Sequence, residues 1–378
     1  MARSGSGSAI PGTISDSARR AHGDRVVLKI GTSSLVTDGH LDPAKVDRLC
    51  EAVLRGRRAG LSPVLVTSGA IAIGRRRHDA LAGAGAAEQQ VSAALGQGIL
   101  YSALHERFSR HGLETGQILL TPRDLISPGH EGAGGVGRTL DAMESLGFIP
   151  IVNENDALGV RNNDVLAAVL SGYLRARLLL LLTNVPGIYD ANPMLDGNAT
   201  RITEVRRLTP GLEALAGGSV GDGGTGGMVA KLSACWIATY SGVPAVIADT
   251  EDPGVLVAAH RGDPVGTRFQ PRPVNGATVD IERLWRAFRT PPRGTVVCEE
   301  AGLRAIDRDE SLLRSQVREV SGSFDAGSVV DIAGVTGGAA ARGAIRLGSG
   351  KSGPACAPSS TLFTNRDYVR IVEDQPCR

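Results

Sequence analysis

Short runs of consecutive apolar residues, each running into a turn of small or polar residues, alternate with longer stretches of helical period over the first two-thirds of the chain. Residues 25–30 enter Gly31-Thr-Ser-Ser34 and 63–67 enter Ser68-Gly-Ala70. Residues 148–152 enter Asn153-Glu-Asn-Asp156, and 178–183 enter Asn184. Runs of this length, apolar at successive positions, predict strands covered on both faces. Two further strands are predicted at 118–120 and 245–248. Between the strands, 42–59, 88–108, 139–146, 163–173 and 228–241 carry the helical pattern, the first closed by Gly60. Strand and helix alternating at this spacing predict an α/β fold, an open α/β/α sandwich on a mainly parallel sheet. Residues 127–137, four glycines among their last six, fit neither period and predict a mobile loop.

The pattern changes after Phe269. Residues 271–294 read as a linker with Trp285 in a short helix near the joint. From Thr295 the strands are short and turn-rich, at 329–332 and 368–371, which predicts a small β-rich second domain over 295–378. Residues 1–23 are rich in Ser, Gly and Arg and lack an apolar signal core, so they read as a flexible tail ahead of an α/β domain over 24–270.

Composition narrows the function classes. Forty-one Lys and Arg against 39 Asp and Glu leave +2 over 378 residues, which is no polybasic surface for nucleic acid or membrane. Residues 295–378 sum to −1, so RNA is not an expected partner of the second domain. Aromatics at 3% argue against base-stacking platforms. The five cysteines form no CxxC pair, which argues against a zinc cluster or a disulfide framework and fits a reducing cytoplasm. The apolar run 178–182 is far too short to span a bilayer. Only four lysines occur, Lys29, Lys45, Lys231 and Lys351, against 37 arginines. A lysine inside a glycine-containing motif of such a chain invites a chemical reason, since a compact ammonium enters where a planar guanidinium does not.

In open α/β sheets ligands bind at the carboxyl ends of the strands. Lys29-Ile-Gly-Thr-Ser33, Thr67-Ser-Gly-Ala70 and Asn153-Glu-Asn-Asp156 should therefore open onto one edge. Gly31 and Gly69 lack Cβ, which lets backbone N–H groups approach an anion. A fourth motif, Gly223-Gly-Thr-Gly-Gly-Met-Val-Ala-Lys231, feeds a helix whose first turn carries a lysine, a pairing that suits phosphate oxygens but matches neither a Walker A loop nor a dinucleotide fingerprint. Each turn alone reads equally as a tight βα connection, and Asp164 alone as a carboxylate in a helix's first turn. Together they point to an anionic ligand.

Val26-Val-Leu-Lys-Ile-Gly-Thr-Ser33, Val66-Thr-Ser-Gly-Ala-Ile71, Gln117-Ile-Leu-Leu-Thr121, Pro150-Ile-Val-Asn-Glu-Asn-Asp156 and Gly224-Thr-Gly-Gly-Met-Val-Ala-Lys231, in this order, resemble the glutamate 5-kinases of the amino-acid-kinase family. Ser311-Leu-Leu313, Val320-Ser-Gly-Ser-Phe324 and Asn365-Arg-Asp-Tyr-Val369 resemble that family's appended PUA domain. The resemblance implies ATP-dependent phosphorylation of the side-chain carboxylate of glutamate, with Mg²⁺, at the start of proline synthesis. It implies Lys29 on the transferring phosphoryl group, Lys231 on the nucleotide phosphates and Asp164 orienting both. Ser68, Asp156 and Asn163 would hold the amino acid. Gly31, Thr183, Asn184, Thr225, Gly226, Gly227 and Met228 would face the nucleotide with the two lysines. It also implies a homo-oligomer, dimer or tetramer, and a downstream reductase that takes up the acyl phosphate.

The chain departs from the family pattern on the acceptor side. The stretch from Asp156 to Asn163 is shorter, with Arg161 and Asn162 where Gly and Asp are expected, and Gly132–Gly137 replaces a charged segment. Asn184 and Asn192 each stand for an Asp. The phosphate-handling residues are intact. Kinase chemistry with a different glutamate-like acceptor, and a non-catalytic RNA-binding or regulatory homologue, are the alternative readings.

Overall fold

The computed structural model describes residues 24–78, 81, 83, 85–126, 131–159, 162–191, 193, 195–207, 209–217, 227–272, 279–335, 337–352 and 356–371. Its first part is built on eight strands: β1 (Asp24–Ile30), β2 (Leu61–Val66), β3 (Thr115–Leu120), β4 (Ile149–Glu154), β5 (Leu178–Thr183), β6 (Glu204–Val205), β7 (Ala245–Asp249) and β8 (Thr267–Phe269). They lie in the order β6-β8-β7-β5-β1-β2-β4-β3. All neighbours from β7 to β3 are parallel, and only β8 and β6 run the other way. The chain first builds outward from β1 through β2 towards the β3 edge, then returns to place β5 on the other flank of β1. That reversal at β1 is the switch point at which open α/β sheets hold ligands.

Helices cover both faces. Helices α1 (Pro43–Arg58), α2 (Ala70–Arg75) and α3 (Ala86–Ser109) pack one face, whose core includes Val26, Leu28, Leu49, Leu100, Leu104 and Leu180. Asp42 caps α1, its carboxylate accepting from the Ala44 and Lys45 N–H groups. Helices α4 (Glu131–Ser145), α5 (Asn163–Tyr173), α6 (Pro210–Gly217) and α7 (Met228–Tyr240) pack the other face around Val27, Leu166, Leu179 and Trp236. Helix α8 (Val255–Arg261) returns to the first face. Alternate residues of β1 thus point into two separate cores, as a two-residue side-chain period requires.

The segment 127–137 corrects its expectation. Residues 131–137 open α4 rather than a loop, while 127–130 lie outside the described residues. Val136 and Leu140, one turn apart, are buried in the second core, and a Cβ at Gly137 would lie 2.9 Å from the Tyr173 hydroxyl. Packing overrides the weak helix propensity of four glycines.

Residues 281–288 form α9, with Leu284, Ala287 and Phe288 buried in the second core. Helix α9 also lies against a five-stranded sheet of β9 (Gly294–Cys298), β10 (Val317–Gly322), β11 (Val329–Gly334), β12 (Ala339–Ala344) and β13 (Tyr368–Arg370), ordered β10-β9-β11-β12-β13. This sheet, with α10 (Glu300–Asp307), encloses its own core of Val296, Ile306, Ile332 and Phe363.

Candidate active site

The parallel register places the ends of β1, β2, β4 and β5 at one edge. Lys29 pairs with Val66 and Leu181, Val66 with Val152, and Ile30 with Leu182. Lys29 is the penultimate residue of β1 and is buried. Lys231 arrives from far along the sequence, in the first turn of α7. Both meet Asp164, in the first turn of α5. Lys29 Nζ lies 2.7 Å from Asp164 Oδ1, an ion-pair contact outside hydrogen-bond angles, and Lys231 Nζ donates to Asp164 Oδ2 at 3.5 Å. Asp164 is 1% exposed.

Asn162 fixes the backbone that carries this carboxylate. It caps α5, its Oδ1 accepting the Asp164 N–H at 2.8 Å. A departure from the family pattern in the sequence, it serves here as the helix start that Asn before an apolar period signals. Asn163 is the next residue, and its Oδ1 accepts the Glu154 N–H at 3.0 Å, pinning α5 to the end of β4. Asn153 Nδ2 donates to Gln97 Oε1 at 2.6 Å and so ties β4 to α3. Gln97 carries no signal in the sequence, because only the tertiary fold brings α3 under that edge.

Burial and the neighbouring charges shift Asp164 and Lys29. Burial is the largest effect on Asp164 and pushes its carboxyl up, but the two ammonium groups together outweigh it and hold the group below the ordinary carboxylate range. Burial pulls Lys29 below the ordinary lysine value, opposed by Asp164 and reinforced by Lys231. Two ammonium groups and one carboxylate sum to one positive charge on the floor of the edge. A buried charge cluster stabilises a fold poorly compared with apolar packing, and Glu154 and Asp156 lie buried nearby at the end of β4.

Gly69 caps α2 at φ +115°, a conformation that favours glycine, and a Cβ there would meet Val36 Cγ2 at 3.1 Å. Gly31 behaves otherwise than expected. Its own N–H donates to the Leu182 carbonyl at 3.3 Å and is taken up by the ladder, so it is not one of the N–H groups left open to an anion. Its φ of −76° suits any residue, and a Cβ would make ordinary contact 3.9 Å from Lys29 Nζ. Ser68 is half-buried just beyond β2, and Asp156 is buried in a short turn of 3₁₀ helix after β4. Thr183 ends β5 and its Oγ1 donates to Asn184 Oδ1 at 3.3 Å, Asn184 being exposed. Gly227 caps α7 and Met228 opens it, packed on the second core. Thr225, Gly226, Arg161 and Asn192 lie outside the described residues.

Fold and site together define a doubly wound α/β protein with two buried ammonium groups on one carboxylate at the switch point of its sheet. The sequence profile of the amino acid kinase family matches residues 24–249. A glutamate 5-kinase of Trichlorobacter lovleyi is 38% identical over 332 residues, covering 84% of this chain and 86% of its own. A glutamate 5-kinase of Bifidobacterium adolescentis is 38% identical over 344 residues, covering 87% of each. The solved UMP kinase of Bacillus anthracis aligns over 66% of this chain and 97% of its own at 17% identity, with a TM-score of 0.48. The chain belongs to the amino acid kinase family and, within it, to the glutamate 5-kinases.

Proposed function

We propose that this protein transfers the γ-phosphoryl group of ATP to the side-chain carboxylate of L-glutamate, giving γ-glutamyl phosphate and ADP at the entry to proline synthesis. The observation that carries the reading is the convergence of Lys29 and Lys231, 202 positions apart in sequence, on the single carboxylate of Asp164. A carboxylate acceptor is ionised at neutral pH and needs no general base. Its oxygen attacks the γ-phosphorus in line, the bond to the bridging oxygen breaks, and that oxygen leaves as part of ADP. The barrier lies in bringing anions together and aligning them, so positioning and charge neutralisation are what the protein supplies. Lys29 sits at the transferring group and Lys231 at the nucleotide phosphates. Asp164 keeps the two ammonium groups apart and aimed, and does not itself exchange a proton.

Ser68, Asp156 and Asn163 hold the acceptor, Asp156 opposing its α-ammonium. Thr183, Asn184, Gly227 and Met228 face the nucleotide, with Gly31 leaving the approach beside Lys29 open. No group of three His, Cys, Asp or Glu side chains among the described residues is arranged to hold a metal, and both oxygens of Asp164 face ammonium groups. Mg²⁺ held by the ATP phosphates would need no such group from the chain. The ion would add further neutralisation of the phosphates.

The acyl phosphate is prone to hydrolysis, which favours prompt uptake by a reductase. The described cysteines are free thiols, three of them buried, which suits a reducing cytoplasm. No described helix is long and apolar enough to cross a membrane. Val91, Leu95 and Ile99 form an exposed apolar stripe on α3, which supports a homo-oligomer joined through the α/β part.

Trapping the product with hydroxylamine tests the activity. Hydroxamate should form with ATP, Mg²⁺ and L-glutamate, and at most weakly with aspartate or N-acetylglutamate. Lys231→Ala should lower kcat by about 10²–10³-fold or more while circular dichroism stays unchanged. No hydroxamate from any carboxylate offered, or a folded Lys231→Ala enzyme of normal kcat, overturns the reading.

A further inference from the structure

Gln97 lies half-buried near the middle of α3, where that helix crosses the acceptor side of the edge. Its neighbour Gly96 packs on the start of α2, so that a Cβ there would lie 1.8 Å from the Ala70 carbonyl oxygen, directly after Ser68 and Gly69. The same helix packs against the 3₁₀ turn that opens with Asp156. Gln97 itself reaches β4, its Oε1 accepting from Asn153 Nδ2 at 2.6 Å. Helix α3 thus meets the segments that follow β2 and end β4 together.

The bond from Gln97 continues inward. Asn153 is 1% exposed, and its Oδ1 accepts the Glu154 N–H at 2.9 Å. Asn163 Oδ1 accepts the same N–H at 3.0 Å, so two amide oxygens share one backbone donor. With its oxygen committed, Asn163 has its NH2 group to present to a ligand, the end that suits a carboxylate oxygen. Asn163 stands directly before Asp164, on which both lysines converge. Gln97, Asn153 and Asn163 therefore form one chain of amides from α3 through β4 to α5.

The amide of Gln97 is only half used. Its Nε2 is buried and has no hydrogen-bond partner among the described residues. An unmet buried donor is costly, and a thioether of similar length would fill the space without it. What the amide adds over such a side chain is its oxygen, and that oxygen goes to Asn153. We propose that Gln97 is a positioning residue for the acceptor: by holding the Asn153 amide it sets the Glu154 N–H, and so the direction in which Asn163 presents its NH2 group. Gln97 acts through these bonds and does not touch the acceptor. This inference rests on the acceptor reading of Asn163.

The test is steady-state kinetics with glutamate and ATP varied in turn, beside equilibrium ATP binding and a thermal melt of the full chain. Gln97→Met removes one unmet donor and leaves Asn153 Nδ2 unmet in its place, so the melting temperature should stay close to wild type. The KM for glutamate should rise about three- to tenfold, the worth of one hydrogen bond, with the Kd for ATP changed less than about twofold. Gln97→Asn keeps an amide but draws it back by one methylene, and should raise the KM for glutamate in the same way even if the first variant folds poorly. In an Asn153→Ala background, Gln97→Met should add less than about twofold, because the bond it acts through is already gone. Three results overturn the proposal and leave the tie as packing: a wild-type KM for glutamate in the folded variants, a full further rise in the double variant, or KM for glutamate and Kd for ATP rising together with a lowered melting temperature. Wild-type protein that gives no hydroxamate from glutamate would instead sink the acceptor reading, so the two failures are told apart.

Discussion

Lys29 is the residue at which burial, charge and rate are most tightly linked. In the proposed reaction it works as a cation, and burial lowers its pKa despite the adjacent Asp164. As pH rises through that lowered value the ammonium deprotonates, so kcat/KM for ATP, which reports the free enzyme, should fall on the alkaline side below the ordinary lysine value of about 10.4. Lys29→Arg places a group there that does not titrate in this range. Its residual activity should lack that alkaline limb, and an identical limb in the variant would remove Lys29 from the profile. Asp164 works in the opposite sense. Its folded pKa is depressed, so its contribution to stability is present above the unfolded value and is lost as pH falls through the folded one. Lys29 and Lys231 stand out in the sequence because lysine is scarce in this chain and both lie near glycines. The cap made by Asn162 is signalled only as a helix start, and its tie to the lysine cluster depends on the fold that brings Lys29 and Lys231 to Asp164.

Among the helices and strands, glycine means two different things. Gly96 on α3 faces α2 so closely that a Cβ would lie 1.8 Å from the Ala70 carbonyl oxygen. The neighbour is backbone and cannot rotate away, so Gly96→Ala should destabilise by about 1–3 kcal/mol through forced separation of the helices. Gly135 lies inside α4, and a Cβ there would have open space for 4 Å around it. Gly135→Ala should stabilise by about 1 kcal/mol, the helix propensity difference. Thermal melts of both variants check the pair, and no gain at Gly135 would return 131–137 to irregular structure. The strands of the α/β part are legible in the sequence because each is an apolar run ending in a turn. Helix α4 is legible only in its second half, over 139–146, because its first turns lack any periodic signal of their own and are held by Val136, Leu140 and Tyr173.

For the molecule taken entire, the exposed stripe on α3 is the feature a single chain leaves unexplained. Val91, Leu95 and Ile99 are 49%, 46% and 37% exposed and lie one turn apart in succession. Burying such a stripe between copies gains roughly 25 cal/mol for each Å² of apolar surface removed from water. Light scattering after size exclusion should find more than one copy per particle, and Leu95→Glu should shift the population to monomer. A monomeric wild type would exclude α3 as an interface. The second sheet joins the first part through α9 and Arg342, a connection that composition does not reveal, since residues 271–294 look like a linker until α9 is seen buried on both sides.

The features legible in the chain before it folds are local ones. Apolar runs define the strands, and two lysines beside glycines stand out among 37 arginines, because strand burial and charge are written in neighbouring residues. Folding alone settles that Lys29, Asp164 and Lys231 share one contact, that Gly31 donates to the ladder, and that Arg342 reaches Glu213. Those distances arise from sheet order and helix packing, which join residues far apart along the chain and leave no period in it to be read.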